Sequence, residues 1–241
     1  MLVVRTVDAG GFGLGLRVDR ATTTALRKAA PPKSPGSWPV SWISGTDCHN
    51  DPPMQVHAYN EDTFVIRQSK CATYEAPFLY LLFGEDKVLL MDTGATGVLQ
   101  VKAVVDEIIA NWLAAKGQAD IDLVVAHTHG HFDHVQADNQ FQGSPDVAQF
   151  VGTDLSQVTS FWGLTNYPED IVTYDLGGRV VDVIATPGHH PVSVSLYDRD
   201  TQILWTGDIV YPGHLFVFSA AEWFDFRDSL QRLVDFAAAN P

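Results

Sequence analysis

Short apolar runs separated by polar turns fill the chain from about residue 63 onward, and this pattern predicts strands. The first pair, residues 78–84 and 87–94, is separated by Glu85 and Asp86 after a glycine, which is typical of a tight hairpin. The other predicted strands are residues 63–69, 121–129, 147–153, 179–190, 193–200 and 202–210.

Two segments show the period of an amphipathic helix instead. In residues 98–116 apolar side chains recur at helical spacing, and Gly117 suits the C-cap. The last predicted helix covers residues 220–240, and Ser219 with Glu222 three residues later is typical of its N-terminus. The repeating apolar positions are Val101, Val104, Val105, Ile108, Ile109 and Trp112 in the first helix, and Phe226, Leu230, Leu233 and Ala237 in the second.

The N-terminal quarter has a different character. Residues 1–62 are interpreted as an irregular lead-in packed on or beside a domain of residues 63–241. Residues 20–30 are compatible with a short helix, and the Pro- and Ser-rich residues 28–39 suit a surface segment or linker. Alternating strands and helices predict an α/β fold for the domain.

The composition of the chain restricts the classes of molecule that it is expected to bind. The formal net charge of −14 disfavours nucleic acid and anionic membranes and leaves a small molecule as the expected partner, with oligomeric state open. No apolar run is long enough for a transmembrane helix, and the N-terminus does not resemble a secretory signal, so a cytoplasmic location is expected unless an upstream signal is missing. Two cysteines do not make a disulfide framework, so free thiols are favoured and a Cys48–Cys71 bridge stays open.

The sequence AHTHGHFDHVQ at residues 126–136 holds four histidines and an aspartate. Such a cluster is costly to pack unless a divalent metal holds it together. His127 precedes the useful spacing and is interpreted as a packing residue. The ligand-type residues that remain are His129, His131, Asp133 and His134, a spacing that suits two neighbouring metal ions.

Three further motifs lie at predicted strand ends: TPGHH, TGD and MDTG. His189 completes a three-histidine site with His129 and His131, which leaves a position for water as catalytic zinc requires. Asp133 and His134 are expected to hold the second ion. The remaining assignments are Asp208 as the bridge, Asp92 as the residue that orients a ligand histidine, and His190 and Tyr211 as pocket residues.

In this order and with these separations, THGHFDH, TPGHH, TGD and MDTG resemble the metallo-β-lactamase superfamily over about residues 63–240. The resemblance implies a four-layer αββα sandwich with a dinuclear site, usually zinc, at one edge of its two sheets. Asp208 stands where lactam-hydrolysing members generally have Cys or Ser, and it resembles the glyoxalase II, lactonase and phosphodiesterase branches. Members also supply a later histidine after the last helix, which this sequence lacks, so the C-terminal end is expected to be missing.

The expected activity is hydrolysis of an ester, thioester or lactone by a metal-bound hydroxide, with Asp133 as the catalytic proton acceptor. Zinc is the expected metal, and iron or manganese stays open. Hydrolysis of a phosphodiester or a β-lactam is an alternative. An iron-dependent sulfur dioxygenase with one metal ion also stays open, as does a truncated, non-catalytic member of the family.

Overall fold

Two β-sheets form the centre of the protein, for which the computed structural model describes residues 32–240. The six-stranded sheet runs in chain order through β1 (Met54–Asn60), β2 (Thr63–Gln68), β3 (Phe78–Phe83), β4 (Lys87–Met91), β5 (Asp122–Ala126) and β6 (Val147–Phe150). The four-stranded sheet contains β7 (Ile171–Asp175), β8 (Val180–Ala185), β9 (Val194–Asp198) and β10 (Ile203–Trp205), each antiparallel to the next.

Four helices accompany the sheets: α1 (Val101–Lys116), α2 (Phe132–Val135), α3 (Leu155–Trp162) and α4 (Ala220–Ala239). Helix α1 is the crossover that allows β4 and β5 to pair in parallel. Gly117 ends it in the left-handed conformation, and the Ser219 hydroxyl accepts a hydrogen bond from the Glu222 backbone N–H at the start of α4. Both predicted helix ends are therefore confirmed. None of the helices within residues 32–240 is long and apolar enough to cross a membrane.

Strand β4 shows why the sheets stack in layers. Leu89 and Met91 point into the core between the two sheets, while Val88 and Leu90 point into the core under α1. All four are buried. Because both faces of β4 are covered, its sequence is a continuous apolar run and does not alternate with polar residues. A third core, which includes Phe226, joins the other face of the second sheet to α4. The order is helix, sheet, sheet, helix, and the predicted αββα sandwich is confirmed.

Several local predictions were wrong or incomplete. The lead-in was expected to be irregular, yet β1 lies within it and pairs with β2 over most of its length. Strand β7 and helix α3 were not predicted. The preference for free thiols was also wrong, because Cys48 and Cys71 form a disulfide that ties the lead-in to the loop between β2 and β3. The short helix expected within residues 20–30 lies outside the described residues.

A buried ion pair joins the two sheets at one end of the sandwich. The Arg179 guanidinium donates to both carboxylate oxygens of Asp198, at 3.1 and 2.6 Å. It also donates to the Phe83 carbonyl at 3.0 Å and the Thr63 hydroxyl at 2.7 Å, which belong to the other sheet. Arg179 is 4% exposed and Asp198 is fully buried, so neither charge has water as a substitute partner.

We expect Arg179→Met to lower the free energy of unfolding by about 3–5 kcal/mol, because it leaves the Asp198 carboxylate buried without its partner. Urea denaturation measures the change. The matched control is Arg227→Met, which removes an exposed pair with Asp228 and is expected to cost at most about 1 kcal/mol. Equal losses in the two variants would contradict the role given to the buried pair.

Candidate metal centre

The ends of four strands bring the predicted ligands to one edge of the sandwich. Strands β4 and β5 are parallel, so Asp92 and the histidine motif that follows β5 leave the first sheet at the same edge. The turns after β8 and β10 deliver His189 and Asp208 from the second sheet. Loops that converge over rigid strands are common places for functional sites.

The turn before His189 is shaped by a glycine. Gly188 has φ +129°, and a Cβ there would lie 2.3 Å from backbone atoms of Phe226 in α4. Only glycine allows this close approach without strain. The Phe216 carbonyl accepts a hydrogen bond from His189 Nδ1 at 2.9 Å, which leaves Nε2 with a free lone pair. The fold thus aims Nε2 of His189 into the cluster.

Three imidazoles meet at one point. His131 Nδ1 lies 3.0 Å from His129 Nε2 and 2.9 Å from His189 Nε2. The three nitrogens form one set of ligand atoms within 4.8 Å of one another. His129, His134 and Asp208 form a second such set.

Asp208 spans the two sets. Its Oδ1 lies 3.5 Å from His134 Nε2, and its Oδ2 lies 3.5 Å from His189 Nε2. Asp133 belongs to neither set, and its nearest contact within the cluster is Oδ2 to His134 Nε2 at 3.6 Å. The second set therefore differs from the predicted one: it contains His129, which also belongs to the first set, and it does not contain Asp133. The assignment of Asp133 to a metal stays a prediction.

The remaining predicted residues lie around the cluster. The ring centroid of His190 is 4.9 Å from that of His131. The Tyr211 hydroxyl donates to the His214 carbonyl, and burial, followed by the charges of Asp208 and Asp133, raises the pKa of Tyr211.

His127 is not part of the cluster. Its two ring nitrogens contact the Val151 carbonyl at 3.1 Å and an Asp138 oxygen at 2.9 Å, as expected of a packing residue. Both contacts satisfy the ring away from the converging nitrogens, so His127 offers no free ligand atom to them.

Asp92 and Thr128 organise the cluster from behind. Asp92 is 1% exposed, and its carboxylate accepts from the Thr128 N–H at 2.7 Å and contacts His134 Nδ1 at 2.8 Å. The Thr128 hydroxyl donates to Asp92 and lies 3.1 Å from His129 Nδ1. Sequence reasoning assigned Asp92 this orienting place but gave Thr128 no role. Its position inside the THGHFDH motif was the available signal.

Burial and neighbouring charges divide the histidines into two kinds. Burial, with the neighbouring imidazoles, pushes the pKa of His129 far below its usual range and lowers the pKa of His131 to about 4. Burial also acts to lower the pKa of His134, but Asp92 and Asp208 outweigh it and raise that pKa to about 10. His129 and His131 are therefore neutral at pH 7 and offer lone pairs.

This donor set fits a divalent metal. His129 Nε2 and His189 Nε2 both lie 2.9–3.0 Å from His131 Nδ1, which is the crowding expected of imidazoles that share a cation. Histidine nitrogens with a carboxylate are the ligands that zinc prefers, and iron and manganese accept them as well.

Comparison with known proteins decides the family. The family model of the metallo-beta-lactamase superfamily matches residues 74–239. The chain belongs to the metallo-beta-lactamase superfamily. The matched range contains all the motifs on which the resemblance was based.

Three curated proteins illustrate what the chain is similar to. A probable metallo-hydrolase of Methanocaldococcus jannaschii is 30% identical over 55% of this chain and 66% of its own length. An acyl-coenzyme A thioesterase of Gallus gallus is 26% identical over 65% and 66%, respectively. A hydroxyacylglutathione hydrolase of Brucella anthropi is 33% identical over 44% and 40%. The chain spans less than two thirds of the length of each of these relatives.

A solved structure supports the fold. The structure of TMB-1 superposes with a TM-score of 0.52, covering 75% of this chain and 84% of TMB-1, at 13% identity. At this identity the likeness shows a shared fold and nothing about activity.

We expect Asp92→Asn to weaken zinc binding about 10- to 100-fold, because the amide cannot accept from Thr128 and His134 as the carboxylate does. Competition with a chromophoric chelator measures the affinity. Asp138→Asn is the matched control, since it alters an aspartate–histidine pair of similar length, 2.9 Å against 2.8 Å, at His127 outside the cluster. Equal losses in both variants would sink the orienting role of Asp92.

Proposed function

We propose that this chain is a hydrolase that uses two zinc ions to cleave an ester, a thioester or a lactone. The observation that carries the proposal is the pair of ligand sets joined by His129 and spanned by Asp208. Membership of a superfamily that includes metal-dependent hydrolases supports it. Iron or manganese in place of zinc would keep the same ligands.

The residues divide between two positions. His129, His131 and His189 would hold the first ion, and the proximity of their nitrogens supports this set. Asp133 and His134 would hold the second, with Asp208 between the two. When bound, the ions supply a lowered pKa for coordinated water and polarisation of the substrate carbonyl.

The chain itself supplies proton transfer and orientation. Burial raises the pKa of the Asp133 carboxyl, with the charges of Asp208 and Glu75 adding to this and His134 opposing it. A carboxylate with a raised pKa is a better proton acceptor, which is the catalytic role proposed for Asp133. His190 and Tyr211 would line the pocket beside the reacting carbonyl.

Thioesters are the first substrates to test. Two relatives are named for thioester substrates, an acyl-coenzyme A thioesterase and a hydroxyacylglutathione hydrolase. The net charge of −14 disfavours a polyanion and therefore phosphodiester cleavage, and Asp208 disfavours β-lactam cleavage. The expected partner is thus a small molecule.

Metal content is the first test. Elemental mass spectrometry of protein purified without added metal is expected to find about two zinc ions per chain, the count set by two adjacent sites. His131→Ala is expected to lower the count, whereas His214→Ala, an exposed histidine, leaves it unchanged. Stoichiometric iron would favour a dioxygenase that oxidises persulfides, and the absence of any metal would favour a non-catalytic protein.

Hydrolysis is the second test. With zinc bound, Asp133→Asn is expected to lower kcat about 10²- to 10⁴-fold on thioesters, because it removes the proton acceptor. Release of free thiol, followed with a colorimetric reagent, measures the rate, and the zinc count of the variant shows whether metal was lost instead. Activity that survives both Asp133→Asn and removal of metal would refute the mechanism.

A further inference from the structure

One half-buried arginine differs from the others. Among the described residues Arg67 makes no ion pair, its Nε is buried without a hydrogen-bond partner, and burial alone perturbs its pKa, downward. Burial of a polar group without a partner costs free energy. The missing partner is unexpected in a chain of net charge −14, where carboxylates are plentiful. The other arginines in residues 32–240 all pair with acids: Arg179 with Asp198, Arg199 with Asp182, Arg227 with Asp228, and Arg232 with Glu169.

The strand register places Arg67 level with the metal centre. Arg67 lies opposite Phe78 in the ladder between β2 and β3. When the ladders are continued through β4 and β5, Thr93 and Thr128 fall at the same level. Val65, two residues before Arg67, lies in the core between the sheets. Because side chains alternate along a strand, Arg67 also points to the space between the sheets.

The guanidinium of Arg67 extends from β2 over β3, the strand that lies next to β4. Its central carbon lies 4.8 Å from the centroid of the Phe78 ring, so it covers β3 rather than its own strand. From β3 to β5 there are two strand spacings, about 10 Å. Trp42 packs edge-on against the same Phe78 ring at 4.9 Å. Tyr80, the next residue of β3 on this face, is already near enough to Asp92 and Asp208 for their charges to raise its pKa, after burial.

We propose that Arg67, which lies over the ring of Phe78, binds an anionic group of the substrate, a carboxylate or a phosphate, about 10 Å from the bond that is cleaved. A guanidinium matches both groups through paired hydrogen bonds. The Phe78 ring beside the guanidinium supports it and limits the water that competes for it. The proposal rests on the proposed function for the reaction, but anion binding by Arg67 can be measured without turnover.

Substrate selectivity is the first test. S-acetylglutathione carries carboxylates, acetyl-coenzyme A carries phosphates, and S-acetyl-N-acetylcysteamine is neutral. For the zinc-loaded chain we expect Arg67→Met to lower the ratio of kcat/KM for an anionic over the neutral thioester about 10- to 100-fold, mainly through KM. Arg67→Lys is expected to lose less, because the charge remains, and Arg227→Met is expected to keep the wild-type ratio. The anionic thioester that responds identifies the group as carboxylate or phosphate.

Binding without turnover is the second test, and it separates the two proposals. Calorimetric titration with S-methylglutathione and S-methyl-coenzyme A, which the enzyme cannot cleave as thioesters, is expected to show at least about tenfold weaker binding of one of them to Arg67→Met. Arg67-dependent binding without hydrolysis of any ester, thioester or lactone would refute the proposed function and keep the anion site. Equal binding by wild type and Arg67→Met, or binding of neither analogue to the wild type, would overturn the anion site even if thioesters are hydrolysed. Thermal unfolding of Arg67→Met and Arg67→Lys controls for loss of fold.

Discussion

The buried carboxylate of Asp92 is the group on which the arrangement of the histidine cluster depends. A charge that is 1% exposed must have all its partners inside the protein, and here they come from the two residues Thr128 and His134. Asp92 itself takes the left-handed conformation, φ 67°, which aspartate tolerates better than most residues. Satisfying this one carboxylate therefore fixes how β4 ends, how the chain leaves β5 and how one imidazole is oriented.

The sandwich separates stability from chemistry along its length. At one end the Arg179–Asp198 pair bonds both sheets with every charge satisfied. At the other end three imidazoles crowd together, and Arg67 has no acidic partner within residues 32–240. Functional sites commonly hold such unfavourable arrangements, because the rest of the fold offsets their cost. A packed, fully bonded far end is consistent with this division.

How much the sequence could predict depends on burial. The strands with both faces covered, such as β4, have unmistakable apolar runs, and the helix ends at Gly117 and Ser219 follow local rules that need no tertiary context. The edge strands β1 and β7 are half exposed, so their patterns were too weak to predict strands. The motif residues were found because ligand chemistry restricts residue type. Which ligand-type side chains lie together was not predictable, since it depends on side-chain distances across two sheets. The pairing of Cys48 with Cys71 likewise depends on how the lead-in crosses the sheet.

The disulfide makes the loop between β2 and β3, beside the histidine cluster, sensitive to redox conditions. Cys71 lies in the loop between β2 and β3, and this loop also carries Glu75, whose charge acts on Asp133. Both cysteines are exposed, so small thiols can reach the bond by exchange. Reduction would release the loop from the lead-in without touching a ligand. Protein kept with a strong reductant and protein kept without one therefore differ at this edge, and the thiol content of a buffer becomes part of the description of the protein.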